Sequence, residues 1–158
     1  MNADDPLAGI WDDARTNGDS AEELAWFHRL PRVQQVIYST HHLSAEVYNG
    51  GFHQYFHNST GLTAPEAVES FRTLGLNDVA DLVQEAIDVF GPVFPRERAL
   101  RQEFLDSIPG DEPSDWNPFF LLDDRFDNII MIPGAPPLND EDRYTLAARE
   151  FFSRTVPS

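Results

Sequence analysis

The stretch "EVYNGGFHQYFHNSTG", Glu46 to Gly61, decides how this chain is read. It places the adjacent glycines Gly50 and Gly51 among the aromatic side chains of Tyr48, Phe52, Tyr55 and Phe56 and the imidazoles of His53 and His57. Such a segment either lines a ligand or metal site, or forms a corner at which two helices meet. Upstream, Pro31 suits a first helical turn. Val33, Val36, Ile37, Thr40, Leu43, Ser44 and Val47 then trace one continuous stripe, which predicts a helix over 32–48. Asn49, Gly50 and Gly51 can take positive φ where a helix terminates and reverses. Beyond them Phe52, Tyr55 and Phe56 fall at i, i+3 and i+4, the apolar face of a short helix that Asn58, Ser59 and Gly61 close. The spacing favours the corner, and any functional signal then has to come from elsewhere.

Working outward, the signals remain helical. Leu7, Ile10, Trp11 and Ala14 keep helical spacing up to Asn17-Gly18. Ser20 with Glu23 reads as a capping box, opening a short helix that buries Leu24, Phe27 and Leu30. Thr63 with Glu66 repeats the pattern before Ala67, Val68, Phe71 and Leu74, with Gly75 at the end. A further helix starts near Asn77, turns Val79, Leu82, Val83, Ala86, Ile87 and Phe90 inward, and stops at Gly91-Pro92. Another covers about Arg96 to Ser107. Periodicity does not decide between helix and extended chain around 119–132. In the last helix Asn139 is expected to cap, Asp140, Glu141 and Asp142 to fill the first turn, and Tyr144, Leu146, Ala147, Phe151 and Phe152 to supply apolar surface. The expectation is an all-α, single-domain bundle spanning 1–158.

Composition narrows the function classes. With no cysteine, disulfides, thiolate metal sites and cysteine nucleophiles are excluded. The N-terminal sequence has no signal-peptide pattern and no apolar run is long enough to span a bilayer, so a cytoplasmic location is expected. There are 27 acidic residues against 11 basic ones, all arginine, for a net charge of −16. Residues 103–142 alone hold 11 acids and one base, Arg125. Such a field repels nucleic acid and anionic lipid and attracts basic proteins.

Two clusters carry candidate chemistry. His53 and His57 lie four apart, with His41, His42 and Glu46 one helix upstream, a conceivable metal set. On the wheel of the 32–48 helix, however, His42 and Glu46 project away from the apolar stripe, so no metal and no cofactor is expected. No phosphate loop, nucleophile elbow or zincin motif is present, and an enzyme is not expected. The second cluster is acidic. Asp78, Asp81, Glu85 and Asp88 follow the i, i+3, i+7, i+10 pattern and share one arc of their helix, with no basic residue on that helix. At ~1.5 Å rise per residue they span roughly 15 Å, comparable in charge density to a DNA strand with one charge per ~3.4 Å. Asp111, Glu112, Asp115, Asp123, Asp124 and Asp127 form a second acidic region.

Val47, Tyr48, Asn49, Gly50, Gly51, Phe52, Gln54, Tyr55, Phe56, Asn58 and Gly61, followed by "APEAVESFRTLG" and later "LLDDRFDNI", resemble the DNA-mimic protein 19 family. The resemblance implies a mainly helical domain and a dimer whose acidic surface imitates duplex phosphates and occupies a helix-turn-helix regulator. The matching residues identify a fold more than an activity. Gln54 and Asn58, one turn apart, are expected to cap backbone near the corner. Two alternatives stand beside the mimic: a small-ligand or metal-binding protein built on His53, Gln54, Tyr55 and His57, and an accessory or immunity-type partner with an apolar contact surface.

Overall fold

A computed structural model describes residue 10 and residues 20–108, 117–131 and 142–156. Its elements run α1 (Ser20–Arg29), α2 (Arg32–His57), a 3-10 turn (Ser59–Thr63), α3 (Ala64–Thr73), α4 (Asn77–Asp88), α5 (Arg98–Asp106), α6 (Phe120–Ile130) and α7 (Arg143–Thr155). Every regular element among the described residues is helical, as the periodicity predicts. The undecided segment is helix through Ile129 and Ile130, because Leu122, Phe126 and Ile130 bury one face at helical spacing. The helix expected around Leu7 to Ala14 lies outside the described residues except for the buried Ile10.

α2 is the centre of the bundle, packing against α3, α5, α6 and α7, while α4 packs on α3 and α6. Val36, Leu43, Val47, Phe52, Tyr55 and Phe56 from α2 enter one apolar cluster with Phe71, Val79, Leu82, Val83, Leu105, Phe119 and Phe126.

The Gly-Gly corner is a kink inside α2 rather than a reversal of the chain. Gly50 (φ −156°, ψ 21°) and Gly51 (φ 74°, ψ −178°) leave helical geometry, and the helix resumes at once. The break frees backbone donors, and one is met from a distance: Asp123 Oδ1, on α6, accepts from the Phe52 N–H at 2.8 Å. A Cβ on Gly51 would lie 2.5 Å from Asp123 Oδ2, so the glycine supplies both the left-handed φ and the room for that carboxylate.

Gln54 and Asn58 do not cap backbone through their side chains. Gln54 Nε2 and Asn58 Nδ2 both donate to Glu46 Oε2, at 2.6 and 2.9 Å, because an ionised acceptor outcompetes a neutral carbonyl. The bonds staple the two halves of α2 across the kink, and Gly50 leaves space for the Gln54 amide, which an added Cβ would meet at 2.1 Å.

The C-terminal end of α2 is closed by a residue that the motif does not contain. Arg101 of α5, 0% exposed, donates from Nε to Phe56 O (2.9 Å), from Nη2 to Asn58 O (3.0 Å) and from Nη1 to the carbonyls of Pro95 and Arg96. A cation set among the free carbonyls of a helix C-terminus meets both their lone pairs and the negative end of the dipole. Burial pulls the guanidinium down to about 10, so it stays charged at neutral pH. Gly61 allows this approach: a Cβ there would sit 2.6 Å from Tyr55 O and 3.3 Å from Arg101 Nε.

Three expectations about helix ends are corrected. Thr63 makes no cap hydrogen bond at α3; its hydroxyl donates to Thr60 O, and Glu66 is instead gripped by Arg96 at 2.7 and 3.0 Å. Ser20 is itself the first residue of α1 and not the cap before it, and Glu23 is half-buried. α7 begins at Arg143 with Asp142 as its cap, Oδ1 accepting from Thr145 N at 2.6 Å, whereas Asn139, Asp140 and Glu141 lie outside the described residues. Tyr144 and Phe151 form the inner face of α7 and Leu146 is exposed.

Candidate functional site

α4 buries Val79, Leu82, Val83, Ala86 and Ile87 and leaves Asp78, Asp81, Glu85 and Asp88 exposed, as its periodicity requires. The row is nevertheless not an uncompensated one. Arg143 of α7 grips Asp78 with two bonds of 2.6 and 3.1 Å, and Arg125 of α6 grips Glu85 with two of 2.6 and 3.0 Å. Arg72 of α3 reaches Asp81 at 2.8 Å, and Asp88 accepts from Gln84 at 2.8 Å. Hydrogen bonding by Arg143 and by Arg125 holds Asp78 and Glu85 below the usual carboxylate range. The expectation of an unrelieved phosphate-like stripe is therefore corrected. Helix periodicity reports only the residues of one helix, and the compensating arginines arrive from three others. These exposed pairs strap α3, α6 and α7 to α4, and solvent and salt screen them, so each adds little to stability.

The second acidic region divides in the same way. Asp123 belongs to the kink, not to the surface. Desolvation pushes its carboxyl up to about 6, against the opposing hydrogen bond from Phe52 N–H. Asp124 and Asp127 are exposed on either side of Arg125, with Asp124 accepting weakly from Asn128 at 3.4 Å. Burial, then the neighbouring Asp124 charge, raises Asp127. Of the candidate acids that are exposed and described, Asp88, Asp124 and Asp127 are those left without an arginine, and Asp123 is turned to the kink; Asp111, Glu112 and Asp115 lie outside the described residues.

Asp123 gives a pH test of the kink. Its folded value, about 6, lies above the ordinary 3.8, so its contribution to stability is complete below 3.8 and is lost as pH rises through 6. Asp123→Asn keeps an acceptor for Phe52 N–H and cannot ionise. Urea unfolding of the two proteins should show the variant gaining about 1 kcal/mol relative to wild type between pH 4 and pH 7, after allowance for solvent screening.

The histidine cluster does not converge. His53 and His57 stack with ring centroids 6.3 Å apart, His41 and His42 lie edge to face before the kink of α2, and Glu46 is engaged by Gln54 and Asn58. Among the described residues no group of three or more histidine, aspartate or glutamate side chains is arranged to hold a metal ion. Tyr55 is wholly buried and lines no surface. Among the described residues no helix is long and apolar enough to cross a membrane.

The structural roles of three residues do not follow from their spacing. Arg101 left a trace, since it shares the apolar face of α5 with the buried Leu105 four residues on. Asp123 and Glu46 are readable only as acids: Asp123 meets Phe52 N–H from 71 residues away, and Glu46 meets Gln54 and Asn58 across the kink that Gly50 and Gly51 put into α2.

Fold and surface together define a class: an acidic helical domain whose glycine-aromatic segment is a structural joint and whose net charge is strongly negative. The chain belongs to the DMP19-like protein family, whose model matches residues 28–149, from the end of α1 into α7. No curated protein and no solved structure matches it.

Proposed function

We propose that this chain is a non-catalytic binding protein that offers negative charge to the cationic, DNA-contacting face of another protein, such as a helix-turn-helix regulator. The observation that carries this reading is the charge excess. Were each of the 11 arginines to neutralise one of the 27 acids, 16 acids would still lack a counter-charge. In fact some arginines are spent elsewhere: Arg101 on carbonyls, Arg98 on His57 O and Arg32 on Thr73. Lysine and arginine side chains of a partner would meet these carboxylates in charge-assisted hydrogen bonds. Asp88 on α4 and Asp124 and Asp127 on α6, helices that pack on each other and carry the Glu85–Arg125 pair, are exposed carboxylates that no arginine meets and that could serve this contact. The resemblance to DNA-mimic proteins supports the same reading.

Capture from a native extract at low salt, followed by a salt gradient, tests it. DNA-binding proteins should be retained on the immobilised chain and released as salt rises, with retention nearly gone at about 1 M, where the screening length is ~3 Å. Asp88, Asp124 and Asp127 changed together to asparagine should release them roughly tenfold more readily. Retention that ignores both salt and these substitutions contradicts charge-based binding.

A further inference from the structure

α6 buries Leu122, Phe126 and Ile130 against the bundle, yet its outer side is not a plain polar one. Phe120, Asp124, Asp127 and Met131 follow one another at steps of four, three and four residues, so they share one narrow stripe of the helix. The stripe has an aromatic ring at one end, a thioether at the other and two carboxylates between. Phe120 and Met131 are 44% and 42% exposed, and Leu121 beside them is 67% exposed. Tyr48, just before the kink of α2, widens the Met131 end: it is 46% exposed, its ring meets that of Phe126 edge to face at 6.1 Å, and its hydroxyl donates to Met131 Sδ at 3.7 Å. Four of the seven large apolar side chains exposed among the described residues thus gather on one face.

Single apolar residues in water are ordinary, whereas several gathered together mark a contact surface. The charges on this face say what it takes. Asp124 and Asp127 are met by no arginine, and Asp124 has only the weak bond from Asn128 at 3.4 Å. A second copy of the chain, itself at −16, would bring like charge to these two acids, and an anionic lipid surface would do the same. A basic segment with apolar side chains of its own meets both kinds of group. From Phe120 to Met131 the stripe runs 11 residues, roughly 16 Å at ~1.5 Å per residue, which is about three helical turns. Rows of side chains three and four apart are the ridges by which one helix packs along another.

We propose that the outer face of α6, together with Tyr48, seats an amphipathic basic helix of the partner. Its apolar side chains rest on Phe120 and Leu121 at one end and on Met131 and Tyr48 at the other, and its lysines or arginines meet Asp124 and Asp127 between them. This seat rests on the charge-based reading given above and adds to it apolar contacts, which salt does not screen. Charge then speeds the encounter, and the apolar ends slow the release.

The probe is a synthetic helical peptide of leucine and lysine with its leucines along one face. Two peptides serve as comparison, one with alanine in place of every leucine and one with the same leucines and lysines in scrambled order. Titrated into the unaltered, isotope-labelled chain, the first should bind about tenfold more tightly than either of the others and should move the NMR signals of Phe120, Leu121, Asp124, Asp127 and Met131 most. Phe120→Ser with Met131→Ser should weaken it about tenfold at low and high salt alike. Asp124→Asn with Asp127→Asn should weaken it about tenfold at low salt and little at high salt. All four side chains are exposed, so the circular dichroism of both double variants should match that of the unaltered chain. If the alanine peptide binds as tightly as the leucine one, and the serine substitutions change nothing while the asparagine substitutions do, the seat is overturned and the charge-based reading stands. Signals that move on another face also overturn the seat alone. If neither peptide binds even at low salt, both fall.

Discussion

Arg101→Leu is expected to destabilise the protein by about 3–5 kcal/mol, the range observed when a buried charged group is cut away from its partners. The substitution leaves the carbonyls of Phe56, Asn58, Pro95 and Arg96 without their donor at the buried junction of α2, the 3-10 turn and α5. An unsatisfied buried carbonyl costs about 1–3 kcal/mol, and leucine offers none of them a substitute. Arg101→Lys should recover less than half of the loss, since an ammonium is a single point and cannot serve acceptors spread around a planar fork. Urea denaturation measures both, and the corresponding fall in midpoint temperature for Arg101→Leu should be about 10 °C. A loss below about 1 kcal/mol would mean that the α2 terminus is held by something other than this guanidinium.

Gly51→Ala should cost about 2–3 kcal/mol, well above the same change at Gly75. Both glycines have positive φ, 74° and 78°, so alanine pays a backbone penalty of about 1 kcal/mol at Gly75 and at least as much at Gly51, whose ψ of −178° places it in a region essentially reserved for glycine. At Gly75 nothing lies within 4 Å of the added methyl, and the penalty ends there. At Gly51 the methyl would lie 2.5 Å from Asp123 Oδ2 and must push the carboxylate away from Phe52 N–H, adding the loss of a helix cap, about 1–2 kcal/mol. Repeating Gly51→Ala in an Asp123→Ala background separates the Asp123 contact from the backbone cost, since the second loss should be smaller by about 1 kcal/mol. Equal losses would show that the kink does not depend on α6.

What could be read from the sequence was whatever is local. The stripe of α2, the inner face of α4 and the buried aromatics after the glycine pair all follow from residues within two or three helical turns, and the structure places them where their spacing predicts, although the glycines bend α2 and do not reverse it. Cap assignments fared worse for a specific reason. Thr63 and Glu66 have the capping-box spacing, but Arg96, 30 residues away, offers Glu66 a stronger partner than a backbone N–H does. The acidic face failed similarly. Asp78, Asp81 and Glu85 are exposed on α4 as predicted, yet their charges are met by Arg143, Arg72 and Arg125, and the first and last of these come from 65 and 40 residues away. Asp123 and Asp124 adjoin in sequence and diverge in role, one capping the second half of α2 and the other facing water. Sequence periodicity assigns faces, whereas only the packed structure says which charges are already taken.

The central claim is that this chain acts through its excess of negative charge, and competition with duplex DNA for a retained DNA-binding protein tests it most directly. If the acidic surface occupies a DNA-contacting face, duplex DNA of any sequence that the partner binds should displace the chain, and the apparent affinity should fall steeply with salt for both ligands. A ternary complex of partner, duplex and this chain, stable across the same salt range, would contradict the account.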